Sequence, residues 1–96
     1  MVLLYGTAKL KVPQGKLLSV KVTYWERIDD VQILGDFFVY PEESLSLIEK
    51  ALAGTGAKAG EDEISGLVQS VVDRNSIVLV GITPEYIAKA IRMAIK

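Results

Sequence analysis

Between Ala8 and Ile33 nearly every second residue is apolar, whereas after Ser44 the apolar residues recur three and four positions apart. The first period is that of a strand with one buried face, the second that of a helix with one buried stripe. A chain with this pattern folds as sheet first and helices after. The change of period falls on Gly35-Asp36-Phe37-Phe38-Val39-Tyr40-Pro41-Glu42-Glu43, which holds both phenylalanines and one of the four tyrosines. A glycine and an aspartate suit a turn, and a proline followed by two glutamates is a common way for a helix to begin.

Ala8, Leu10 and Val12 alternate with Lys9 and Lys11, the two-residue period of a half-buried strand. Val2 to Tyr5 either extends this strand or frays from it. Val12-Pro13-Gln14-Gly15 places proline second and glycine fourth, as in a type I turn, so the next strand should return antiparallel. From Leu17 to Trp25, Leu18, Val20, Val22 and Tyr24 share one face, and Ser19, Lys21, Thr23 and Trp25 share a wet one. Charge density rises from Glu26 to Asp30, where a reversal is expected, and Val31 and Ile33 resume the alternation. The expectation is a three-stranded antiparallel meander, with Gly35 a bulge where the third strand bends.

Leu45, Ile48 and Leu52 predict a helix over Ser44 to Ala53, with Glu42 and Glu43 near its positive end, Lys50 near its negative end and Gly54 as its stop. Gly54 to Gly60 has three glycines in seven residues and reads as a flexible linker. It lacks the Gly-Lys-Ser/Thr ending of a phosphate-binding loop and does not follow a strand. Ile64, Leu67, Val68, Val71 and Val72 make Glu61 to Asp73 the clearest amphipathic helix, with Asn75 at its end. Ile77 to Val80 is either a short extra strand or a buried connector. Thr83 and Pro84 then open a last helix as N-cap and first residue, with Ile87, Ala90, Ile91, Ala94 and Ile95 as its buried stripe. The fold class is α+β: a three-stranded antiparallel meander packed against about three helices, in one domain over residues 1–96.

Composition removes most chemistry. There is no cysteine and no histidine, which excludes disulfides, thiolate metal sites, cysteine nucleophiles, imidazole bases and a serine triad. Eleven basic against twelve acidic residues give a net charge of −1, without the footprint of a nucleic-acid binder. No apolar run reaches the roughly 20 residues that span a bilayer, and Met-Val-Leu-Leu-Tyr lacks the charged leader of a signal peptide, so no membrane partner and a cytoplasmic location are expected. Asp29-Asp30 and Glu61-Asp62-Glu63 are the carboxylate clusters. Neither has the spaced ligands of a calcium loop, and acids opening a helix are ordinary complements of its dipole.

The candidate residues for contact with a partner lie around the corner. Adjacent phenylalanines on extended backbone point to opposite faces, so Phe37 and Phe38 cannot both enter one core. Tyr40 stands with them, and Asp36 either caps a turn or receives a donor from another chain. Lys16, beside the first turn, sits where a lysine reaches a partner's anion or simply solvent. Trp25 and Tyr24 close a strand, where a tryptophan either anchors an interface or folds over its neighbours.

Three strings carry a resemblance to a known family: Lys11-Val12-Pro13-Gln14-Gly15-Lys16-Leu17-Leu18, Val31 through Glu43, and Val80-Gly81-Ile82-Thr83-Pro84-Glu85. Together they resemble the C-terminal accessory domain of lipoate–protein ligases, in the archaeal form where it is a separate small chain. The family commonly has a second glycine where Gln14 stands and a glycine in the second turn, where this chain has Glu26-Arg27. The resemblance implies a heterodimer with a larger catalytic chain that binds ATP, magnesium and lipoate and carries an Arg-Arg…Gly-Gly-Gly motif and a reactive lysine segment, none of which occurs in this sequence. It implies that the small chain is needed to form lipoyl-adenylate, before lipoyl passes to a lysine of an acceptor domain that it meets only indirectly. The expectation is therefore an accessory subunit inactive alone, with no catalytic, cofactor or metal residue of its own, and with Lys16, Asp36, Phe37, Phe38 and Tyr40 shaping the contact with its partner. A free-standing adaptor that binds a lipoyl carrier without a role in activation is the competing expectation; an independent small-molecule enzyme is disfavoured by the residue inventory.

Overall fold

The alternation between Ala8 and Ile33 becomes a sheet of three strands, seen in a computed structural model that describes residues 2–13 and 16–95. Strand β1 (Leu4–Lys11) runs antiparallel to β2 (Leu17–Tyr24), with Leu4 opposite Tyr24 and Lys11 opposite Leu17. Strand β3 (Ile28–Gly35) pairs antiparallel with the other edge of β2, giving the order β1-β2-β3. The Val12 N–H donates to the Lys16 carbonyl (2.9 Å) and closes the first hairpin; the expected turn at Val12–Gly15 includes Gln14 and Gly15, which lie outside the described residues.

Helices α1 (Ser44–Leu52), α2 (Glu61–Arg74) and α3 (Pro84–Ala94) follow the predicted stripes within a residue or two. α3 packs on β1 and β2, α1 on β3, and α2 on both helices, so all three bear on one side. Leu18, Val20, Val22, Val31 and Ile33 meet Ile48, Leu52, Ile64, Ile87 and Ile91 there, each at most 2% exposed. Among the described residues no element covers the other face of the sheet, and its side chains alternate outward into solvent.

Local chemistry explains the helix ends. Thr83 Oγ1 accepts from the Tyr86 N–H (3.3 Å) with Pro84 in the first turn of α3, as the sequence predicts. Asn75 closes α2, its Nδ2 donating to the Val71 carbonyl (2.9 Å). Glu42 and Glu43 lie near the positive end of α1 as expected, in the turn that leads into it, and Glu43 is its N-cap without a side-chain bond. Glu49 reaches from α1 to the sheet, where its Oε2 accepts from the Ile33 N–H (2.8 Å), so α1 covers part of the free edge of β3.

Two expectations are corrected, and one open alternative is settled. The sheet's irregularity lies between Thr23 and Tyr24, opposite Ile28 and Asp30, while Gly35 is paired in register with Leu18. Gly35 is needed because a Cβ there would sit 2.2 Å from the Leu17 carbonyl oxygen. The glycine-rich segment after α1 is no free linker: the Gly54 N–H donates to Ile28, the Ala57 N–H to Glu26, and Gly56 bridges to Arg27. Arg27 Nη1 adds a bond to the Gly54 carbonyl (2.9 Å), and Ala57 is buried, which fixes the loop on the β2–β3 turn. These bonds use the loop's N–H groups within the fold, where a phosphate cradle would present them outward. The residues around Val78 form a strand, not a buried connector: β5 (Val78–Val80) pairs antiparallel with β4 (Phe38–Tyr40) in a separate two-stranded ribbon. Among the described residues no helix is long and apolar enough to cross a membrane.

Candidate functional site

The period-2 rule applied to β4 and β5 assigns each side chain of the ribbon. Phe38 lies opposite Val80 and Tyr40 opposite Val78, so these four share one face; Val39 and Leu79 form the other pair and face the core. Phe38, Tyr40, Val78 and Val80 are 57, 51, 54 and 43% exposed. The Phe38 and Tyr40 rings stack with centroids 6.4 Å apart. A shallow groove of about 230 Å³ runs beside them, walled by Phe37, Val39 and Leu45.

The expected candidates converge on this ribbon. Phe37 is half-buried and packs on the core while Phe38 points out, as their adjacency on extended backbone requires. The Asp36 N–H donates to the Leu17 carbonyl (3.0 Å), which ties the corner to the base of β2 and leaves the carboxylate exposed. Lys16 is half-buried, its stem lying over Gly81: a Cβ at Gly81 would be 3.3 Å from Lys16 Cδ, 3.4 Å from the Asp36 carbonyl oxygen and 3.5 Å from Phe37 Cα. Gly81 also has φ of 92°, which favours glycine. The Tyr40–Pro41 peptide is cis, and the Pro41 carbonyl accepts from the Ser44 N–H (2.9 Å) as the chain turns into α1. Thus the hairpin tip, the corner and the segment leaving β5, far apart in sequence, are one place in the fold.

Val78 and Val80 escape a reading of the sequence because an alternation of three residues carries no periodic signal. Trp25 and Tyr24 belong elsewhere. Trp25 is 54% exposed at the opposite end of the sheet, beside an open cleft of about 980 Å³ that Leu4, Glu26, Lys58, Arg92 and Ile95 also line. Arg92 in that cleft already donates to the Ala57 carbonyl. Among the described residues no group of three or more carboxylates is placed to hold a metal ion. What the site offers is apolar area with a polar border, the makings of a contact surface.

No protein-family model matches the chain. It is 30% identical over 67 residues to lipoate–protein ligase A subunit 2 of Thermoplasma acidophilum, an alignment that covers 70% of this chain and 66% of that relative, just short of two thirds. In the solved archaeal lipoylation system of Thermoplasma acidophilum, a bi-partite lipoate protein ligase with its E2 lipoyl domain, one chain superposes with a TM-score of 0.78 and 25% identity. That match covers 95% of this chain and 98% of the other. The sheet and the helices thus have a counterpart in fold, and in sequence and in structure the chain is similar to the second, small subunit of a bipartite lipoate–protein ligase.

Proposed function

We propose that this chain is the non-catalytic small subunit of an ATP-dependent lipoate–protein ligase, and that it docks on a catalytic chain and orders that chain's adenylation site. The observation that carries the reading is the exposed ribbon face. Three segments that carry the family resemblance meet beneath it, and four large apolar side chains above it are left in water. Lys16, Asp36 and Phe37 hold the ribbon's base, while Phe38 and Tyr40 present the contact. ATP, magnesium and lipoate are bound by the partner.

The mechanism is preorganisation: a rigid surface laid against mobile loops of a larger chain raises the fraction of time in which ATP and lipoate sit in reacting geometry. The chain's inventory suits this role, since without histidine or cysteine it has neither an imidazole base nor a thiol nucleophile. The acceptor lysine would meet the lipoyl-adenylate on the catalytic chain, with this subunit involved only through the complex.

The test mixes purified chain with the catalytic chain and follows lipoate-dependent release of pyrophosphate from ATP. Release should rise on addition of this chain and saturate at equimolar ratio. An identical rate with and without it refutes the reading and favours an adaptor without a role in activation.

A further inference from the structure

The ribbon face is too small to hold a partner alone. Four side chains about half exposed, taking roughly 200 Å² for an aromatic residue and somewhat less for valine, present on the order of 350 Å². A stable interface takes about 800 Å² from each partner. The contact must therefore spread onto a neighbouring surface, and the open face of β1–β2–β3 begins where the ribbon ends: Leu17 accepts the Asp36 N–H, and Gly35 leads out of β3 into the corner.

That open face has a distinct charge. Lys9 stands opposite Ser19, Lys11 opposite Leu17, and Lys21 between Thr7 and Gln32, with all three lysines exposed on the same side. Lys9 is thus next but one to Lys11 along β1 and diagonal to Lys21 across the ladder, each pair about 7–8 Å apart. Asp30, on this face, is diagonal to Lys21 at the far end from the corner, and Asp29 beside it, the extra residue of the sheet's irregularity, is exposed as well. Three lysines and these two aspartates leave eight basic and ten acidic residues for the rest of the chain. The positive charge is thus segregated onto the uncovered face, against the sign of the whole molecule. Beside the lysines, Leu17 and Leu34 are 37 and 52% exposed, so apolar side chains border the basic ones on the side toward the corner. Clustered like charges do nothing for the fold; they repel one another, and an acidic partner removes the repulsion.

We infer that the docking surface continues from the ribbon onto this face, and that its occupant is an acidic patch of the catalytic chain, with carboxylates facing Lys9, Lys11 and Lys21 and apolar side chains facing Leu17 and Leu34. The inference rests on the function proposed above. Such a contact is steered by long-range attraction and is sensitive to salt, because exposed charges are screened within about 8 Å at physiological ionic strength.

The experiment measures the affinity of the wild-type chain for the catalytic chain by calorimetry between about 30 and 500 mM sodium chloride. It repeats the series with the K9E/K11E/K21E variant, with the K9Q/K11Q/K21Q variant, and with K89E, whose exposed lysine lies on α3 away from this face. Wild-type affinity should fall steeply with salt. Charge reversal should weaken binding about tenfold or more at the low-salt end and flatten the salt dependence, with neutralisation intermediate and K89E like wild type. A reversed variant that binds as wild type does, with the same salt dependence, overturns the lysine face while leaving the ribbon intact. No complex with the wild-type chain at any salt overturns both this inference and the proposed function. Two parallel measurements address other occupants: saturable binding of a short DNA duplex, or self-association by sedimentation, abolished in either case by charge reversal while binding to the catalytic chain persists, overturns the assignment. The reversed variant's urea midpoint shows whether it folds; if it does not, the neutralised variant decides, and its binding as wild type likewise overturns the inference.

Discussion

Phe37 and Phe38 are neighbours with opposite roles, and alanine at each should separate folding from docking. Phe37 is half-buried against the core. A fully buried phenylalanine loses about 3–5 kcal/mol on truncation, so Phe37→Ala should cost the isolated chain about 2 kcal/mol. With a denaturant slope of about 1–2 kcal/mol/M for a chain of this size, the urea midpoint should fall by about 1 M or more. Phe38 is 57% exposed and stacks on Tyr40, so Phe38→Ala should cost about 1 kcal/mol or less, the worth of one aromatic pair. On binding the order reverses. Covering about 110 Å² of the Phe38 ring gives up to about 2.8 kcal/mol at 25 cal/mol per Å², and ordering costs reduce this to about 2. Phe38→Ala should therefore weaken the complex with the catalytic chain roughly 30-fold while the chain alone unfolds almost as wild type does. Urea unfolding followed by circular dichroism and titration calorimetry give the two numbers independently. If Phe38→Ala destabilises the chain as much as Phe37→Ala and leaves the complex unchanged, the ribbon face is structural and the reasoning fails.

Three further substitutions test how the site is held. Gly35→Ala places a methyl group against the Leu17 carbonyl, a backbone atom with no rotamer to escape to, and should cost roughly 2–4 kcal/mol by urea unfolding. Glu49→Ala strips the Ile33 N–H of its acceptor and should cost about 1–3 kcal/mol; it should also expose the β3 edge, read as concentration-dependent self-association by light scattering, whereas Glu49→Gln keeps a hydrogen bond and should do less. Thr83→Ala removes the cap of α3 and should lower stability by about 1 kcal/mol, a small effect that thermal melts detect.

The strands and helices with five or more periodic positions were legible because burial repeats at the same interval as the backbone. Leu18, Val20, Val22 and Tyr24 all face the core as their alternation predicts, and so do Ile87, Ala90, Ile91 and Ala94. What escaped has no periodic mark. The pairing of Phe38 with Val80 is a contact between two three-residue segments separated by two helices, and no local pattern records it. The Gly54–Gly60 loop is fixed by backbone groups of Ile28, Glu26 and Arg27, which every residue type possesses and the sequence therefore cannot announce. Stereochemistry required only that Phe37 and Phe38 face opposite ways. Which of them is exposed, and that Tyr40, Val78 and Val80 share its face, required the fold.

The ribbon also sets an order of events. β4 lies before α1 and β5 after α2, so their ladder closes only once the intervening chain has been compacted, whereas each hairpin of the meander zips from a short turn. Distant pairings carry the larger loop-closure entropy and form late. The surface offered to a partner is then the last part of the molecule to exist, and a half-folded chain has nothing to dock with. In the complex proposed above, assembly would then select for completed subunits, a proofreading step that the topology would supply.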